Sequence, residues 1–263
     1  MGQADDRQRA QAVVSKLRNI ENVRISLAAT RKWWLDLMTT TVVKTTEHDF
    51  DTYQNWLKYQ ALAERIWARR GLYQTRGAFG YRDQLQDTVN LMWMDPKLAR
   101  QQIILHASHQ FVEGDVYHWF FTLVDGRTAF SCRSHASDNL LWLAWAVVEY
   151  VRATGDESIL NERASYVYSE FPFAKLPKMK HGIGHLYHRS TLSDTVYRHC
   201  MRSIDCVLNS RMGVNHLPLI QTGDWNDGLD EIGSEGKGES VWLGFFLYYI
   251  LKQFLPTIAR IDG

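Results

Sequence analysis

Gly223-Asp224-Trp225-Asn226-Asp227-Gly228 is followed by Gly236-Lys237-Gly238-Glu239-Ser240 and then by Val241-Trp242-Leu243-Gly244. Two carboxylates and an indole lie between two glycines, which tolerate backbone angles that other residues resist. The stretch therefore reads as a tight loop with side chains aimed at one point. Ser240 reads as the cap of an apolar helix starting at Val241. The loop then opens onto a helix N-terminus, a favourable place for hydroxyls or an anion. An aromatic face beside a carboxylic acid is one way to hold a sugar and protonate its glycosidic oxygen. Asp, Asn and Gly also cluster in plain turns, and Asp-Gly is an ordinary turn pair. The length of the stretch, its buried-type tryptophan and a second dense motif upstream weigh toward a site.

That second motif is Gly77-Ala78-Phe79-Gly80-Tyr81-Arg82-Asp83-Gln84-Leu85-Gln86-Asp87, in which glycines mark a loop and Asp83 or a neighbour starts a helix running to about residue 93. Arg82 and Asp83 at a helix entrance can hold sugar hydroxyls as a pair, one donating and the other accepting. The alternative is an Asp that caps the helix and an Arg in a local ion pair. Elsewhere the spacing predicts helices over residues 4–17, 23–43, about 49–67, 95–110, 140–152, 156–169, 191–209 and 241–254. The aromatic stripe Tyr53, Trp56, Trp67 is core packing on this reading. Asp125-Gly126 is the turn of a short hairpin. Residues 175–189 carry His181, His185 and His188 in a basic, glycine-broken segment. It reads as a solvent-exposed loop rather than a metal site. Helices alternating with loops and few strands give an all-α fold, arranged as a helical toroid.

The 263 residues are 45% hydrophobic and 22% charged, an ordinary globular composition. A net charge of +1 gives no reason to expect nucleic acid or an anionic membrane as partner. Cys132, Cys200 and Cys206 have no metal-like spacing and read as reduced thiols of a cytoplasmic protein. The polar start shows no signal peptide. The longest apolar run, residues 241–251, is too short to span a bilayer and reads as a buried helix.

The loop at 223–228, the segment 236–244, the motif at 77–87, Glu113-Gly114-Asp115-Val116 and Ser137-Asp138-Asn139-Leu140-Leu141-Trp142-Leu143 together resemble glycoside hydrolase family 94. That family includes cellobiose, cellodextrin, chitobiose and 1,2-β-oligoglucan phosphorylases and the phosphorylase-like part of cyclic β-1,2-glucan synthases. The resemblance runs from about residue 22 to the end, leaving 1–21 as an N-terminal helical extension. It implies that 22–263 is the N-terminal part of an (α/α)6-barrel catalytic domain. It also implies an inverting reaction without a cofactor, in which one Asp protonates the glycosidic oxygen while inorganic phosphate, the co-substrate, attacks the anomeric carbon. Phosphate is already nucleophilic, so no catalytic base is needed, unlike in inverting hydrolases. By motif position the acid is Asp227, and Trp225 contacts the sugar. Arg82 and Asp83 hold the donor sugar, and Arg76 matches an arginine near the phosphate. Trp225 is expected to favour the protonated acid by desolvation.

The family's barrel continues beyond this chain, and its phosphate-binding histidine and Thr-Gly pair lie in that later part. A half-toroid is expected to expose helix faces meant for burial. Three readings follow. The first is a phosphorylase acting on β-linked glucooligosaccharides or disaccharides, as a homodimer or with a complementing C-terminal chain. The second is a carbohydrate-binding fragment lacking the phosphate site. The third is an inverting hydrolase on a similar toroid, which needs a second carboxylate such as Asp115 or Glu113.

Overall fold

The computed structural model describes residues 4, 6–68, 78–121, 128–176 and 183–263. The chain divides into two compact units, Met1–Trp56 and Leu57–Gly263. In the first, α1 (Arg7–Leu17) is capped by Asp6 and α2 (Ile20–Met38) by Asn19, each accepting a backbone N–H. The hydroxyls of Thr39 and Thr40 donate back to the carbonyls of Leu35 and Leu37. Threonines that bond the preceding turn end a helix, so α2 stops short of residue 43. A third helix, α3 (His48–Tyr59), starts in this unit. Among the unit's described residues only Leu37 is buried.

In the second unit the helical run continues as a π-helix, Gln60–Ala68. Next come α4 (Tyr81–Leu91) and α5 (Pro96–Ala107). Asp95 caps α5 by accepting from Leu98 N, and Pro96 sits where a missing N–H costs nothing. α6 (Leu141–Thr154) is the central helix: Leu141, Trp142, Leu143, Ala144, Ala146, Val147 and Tyr150 are all buried. It packs on α4, α5, α7 (Val196–Ser210) and α8 (Val241–Ile261). Burial around most of its circumference explains its nearly continuous apolar sequence.

Gly155 ends α6 at φ 70°, donating its N–H to Val151 O at 2.8 Å. A Cβ added there meets nothing within 4 Å. Gly155→Ala is therefore expected to cost about 1–2 kcal/mol through backbone conformation alone. Urea unfolding should show a lower midpoint at unchanged m. A loss within error of zero would mean that the helix end rearranges.

The described residues also hold a five-stranded antiparallel sheet, which corrects the all-α expectation although helices dominate. Its strands are β1 (Phe79–Gly80), β2 (Tyr117–Phe120), β3 (Thr128–Arg133), β4 (Arg163–Tyr168) and β5 (Ile183–Thr195). Their order is β1-β2-β3-β5-β4. β2 and β3 form the expected hairpin, whose turn residues lie outside the described residues. Residues 156–169 are not a helix: Asp156 caps a single 3-10 turn, Glu157–Asn161, and β4 follows. On β4, Ala164 and Tyr166 are buried, and the Tyr166 ring stacks on His199 of α7 at 4.1 Å. The histidine segment is not a loop either. His185 and His188 lie on β5, paired with Ser131 and Thr128 of β3, while His181 lies outside the described residues. α7 begins at Val196 because Thr195 supplies its cap.

α8 is longer than residues 241–254. It buries Leu243, Leu247, Ile250 and Phe254 on one stripe, while Phe245, Tyr248 and Leu255 on the other side are mostly exposed. Among the described residues it is the one helix long and apolar enough to cross a membrane by length and composition, which corrects the shorter span read from sequence.

Candidate functional site

The loop before α8 folds on its own short side chains. Gly223 takes φ 114°, in the region that favours glycine. Asp224 Oδ1 accepts the N–H of Asn226, and Asn226 Oδ1 accepts that of Gly228. These two Asx turns set up a 3-10 turn, Asp227–Leu229. Ser240 caps α8 by accepting from Leu243 N, and its hydroxyl donates to Asp224 Oδ2 at 2.6 Å. Ser240 is the cap read from the sequence, and the buried Asp224 fastens the loop to the helix start. The cap hydroxyl is engaged by the protein itself.

Arg82 joins the loop to the rest of the unit. Its Nη1 donates to both oxygens of Asp138 at 3.2 Å and to Asp224 O at 3.0 Å. Its Nη2 donates to Asp227 Oδ2 at 2.7 Å. Arg82 is buried and Asp138 fully so. Burial opposes the guanidinium charge, but Asp138 and Asp227 outweigh it and hold Arg82 above its ordinary value. Burial raises the Asp138 carboxyl, against the pull of Arg82 and of the Trp142 N–H. Trp142 Nε1 donates to Asp138 Oδ2 at 2.7 Å.

The reading of this helix entrance as a capping Asp and a local ion pair does not hold. The N-cap of α4 is Gly80, without a side-chain bond, so Asp83 is not the cap. The partners of Arg82 lie 56 and 145 residues away, so its ion pairs are not local. Asp83 sits half-buried on the same first turn. One turn on, burial pushes the Asp87 carboxyl up to about 6, against the Arg65 guanidinium that donates to it at 2.8 Å. Carboxyls raised in this way are found in functional sites and in structural ion pairs alike, and Asp87 is held in such a pair by Arg65. The pair was invisible in a motif where Asp87 was one polar residue among several.

Arg82 and Asp227 therefore meet, a contact that neither motif announced by itself, and Arg76 lies outside the described residues. Trp225 is 53% exposed and the Asp227 side chain 36% exposed, and Asp227 is paired with Arg82.

Asp115 and Glu113 are not available as a second catalytic carboxylate. The fully buried Arg133 donates to Asp115 at 2.6 and 2.7 Å and to Glu113 at 2.8 Å, and its guanidinium lies 3.5 Å over the Phe111 ring. These acids neutralise a buried cation. Asp138 is the residue that sequence reasoning left without a role. Its signal was the Asp138…Trp142 spacing of four, which puts an acceptor one helical turn before an indole N–H.

A profile of the glycosyl hydrolase 94 superfamily, catalytic domain, matches residues 33–171 and 184–263. The chain is 42% identical over 260 residues to the cyclic β-(1,2)-glucan synthase NdvB of Rhizobium meliloti, which covers 97% of the chain and 9% of that protein. It is 30% identical over 199 residues to solabiose phosphorylase of Paenibacillus borealis, covering 75% of the chain and 21% of that protein. An N,N'-diacetylchitobiose phosphorylase of Vibrio furnissii is 23% identical over 271 residues, covering 94% of the chain and 30% of that protein. The chain thus spans less than a third of the length of each of these relatives.

Proposed function

The chain belongs to the glycosyl hydrolase 94 superfamily, and from that premise we propose that its Arg82–Asp227 site serves an inverting phosphorolysis of β-linked glucooligosaccharides. Asp227 gives its proton to the glycosidic oxygen as inorganic phosphate attacks the anomeric carbon from the opposite face. The nucleophile arrives already charged, so no second carboxylate is called on. The donor sugar lies on the exposed Trp225 ring, with Asp83 accepting from its hydroxyls and Arg82 holding the acid. Arg76 is assigned to the phosphate, and a second copy or a complementing C-terminal chain is the proposed protein partner. The helix pairs of residues 22–263 are read as part of an (α/α)6 barrel in a cytoplasmic protein that needs no cofactor. The relative named for β-(1,2)-glucan supports β-1,2 over β-1,4 linkages.

The observation that carries this reading is the contact of Asp227 with Arg82 at 2.7 Å, which joins two motifs 145 residues apart. The test is glucose 1-phosphate release from β-1,2- and β-1,4-glucooligosaccharides, with and without inorganic phosphate. Phosphate-dependent release, larger on the β-1,2 series, is the expected result. Phosphate-independent hydrolysis would overturn it. Sugar binding without any release would favour the carbohydrate-binding reading, to which the exposed Trp225 ring lends support.

A further inference from the structure

We propose that Asp138 is a positioning residue of this site: it clamps Arg82 so that only the Nη2 edge of the guanidinium is left to hold Asp227. The inference rests on the reading of Asp227 as the acid. Asp138 leads into α6 and is fully buried. One of its oxygens is anchored by Trp142 Nε1 at 2.7 Å on the first turn of that helix. Both oxygens meet Arg82 Nη1, whose remaining contact is Asp224 O. Nη1 is thereby fixed from two directions by well-packed elements. Asp224 is in turn tied to Ser240 at the start of α8. The geometry leaves Nη2 one described acceptor, Asp227 Oδ2.

The charges around Asp227 define what Asp138 does. Arg82 and Asp83 stand on α4, Asp138 on the segment before α6 and Asp224 on the same loop as Asp227, and Asp138, Asp227 and Asp83 all bear on the Arg82 charge. Arg82 is the one cation of this set. With Asp138 ionised, part of the Arg82 charge is offset before it meets Asp227. With Asp138 neutral, the whole cation faces the acid and favours its ionised form. A purely structural Asp138 would hold Trp142 and α6 without influencing this balance.

Asp138→Asn removes the charge and keeps an oxygen for the Trp142 N–H. The expected result is a kcat about 10- to 100-fold lower, because a displaced guanidinium misplaces the acid, with KM within about twofold. The alkaline limb of the kcat profile should move about one pH unit lower. Trp142→Phe keeps the charge and frees the carboxylate. It should lower kcat several-fold and leave that limb in place. Nitrogen-15 spectra of the Arg82 guanidinium supply an arm that needs no turnover. The intact protein should show separate Nη1 and Nη2 signals, and Asp138→Asn one averaged signal. Separate signals in Asp138→Asn, or a kcat within twofold and an unmoved limb, would overturn the proposal. If Asp138→Asn does not fold, an unchanged kcat in Trp142→Phe overturns it. Absence of phosphate-dependent release in the intact protein would sink the phosphorolysis reading. The guanidinium spectra would still decide the clamp.

Discussion

Asp227→Asn is expected to lose about 10²- to 10⁴-fold in phosphate-dependent release of glucose 1-phosphate, the range spanned by removal of one general acid. Asparagine keeps the shape of the side chain and an oxygen that Arg82 Nη2 can still meet. Arg82 remains held by Asp138 and by Asp224 O, so the loop should stay in place. What the variant lacks is a proton for the leaving oxygen. The loss should therefore fall in kcat, with oligosaccharide binding little changed. It should also depend on the leaving group. An aryl β-glucoside, whose phenolate departs without protonation, should lose far less than a disaccharide when both are assayed at saturating phosphate. Equal losses on both substrates would point to a damaged binding site. Undiminished turnover on the disaccharide would remove Asp227 from the acid role.

The parts of the molecule that were readable in its sequence are those written in neighbouring residues. Ser240 caps α8, Asp95 with Pro96 starts α5, and Gly155 ends α6, because capping and left-handed termini act within a single turn. The strands were harder. β3 and β5 pair residues 50 to 60 positions apart, and neither carries the clean alternation that a half-solvated strand would show. The basic, glycine-broken start of β5 imitates a loop. The site divides along the same line. Arg82, Asp83, Trp225 and Asp227 stand in dense motifs, so their chemistry could be inferred from residue types. The hub geometry could not, since Arg82 meets Asp138, Asp224 and Asp227 across 56, 142 and 145 residues. The same holds for Arg133, whose total burial depends on acids 18 and 20 residues before it in sequence. Read alone, Glu113-Gly114-Asp115 offers two carboxylates for catalysis. Folded, they serve a cation that no local pattern announced.

Replacing His109 by Phe is expected to make the protein less dependent on pH below neutrality. His106 and His109 are both buried at the end of α5. Each Nδ1 lies 2.7 Å from a backbone carbonyl, Gln102 O and Leu105 O, so each Nδ1 carries the proton and donates it. Each Nε2 is buried without a partner, so each ring is neutral. Burial pushes His106 down to about 3 and His109 to about 4, the carbonyl bonds opposing only in part. The unfolded chain takes up these protons near pH 6.5, and the folded protein refuses them until about pH 4. Between those values the unfolded state holds more protons, so stability falls as the pH falls, and the contribution is whole only above about 6.5. Each histidine accounts for about 1.4 kcal/mol per pH unit, a large share of the 5–15 kcal/mol typical of a domain. Asp87 and Asp138, raised by burial, act in the opposite direction over the acidic range. Their effects cancel when two proteins differing only at His109 are compared. The His109 ring stacks on Phe120 at 4.1 Å, a place where a phenyl group fits, and Ser108 Oγ still donates to Leu105 O. His109→Phe should therefore lie within about 1 kcal/mol of the parent at pH 7.5. By pH 4.5 it should have gained about 3 kcal/mol relative to the parent. Urea titrations of both proteins at several pH values decide the matter. Stability curves that run parallel would mean that the ring at position 109 takes up its proton at the same pH in the folded protein as in the unfolded chain.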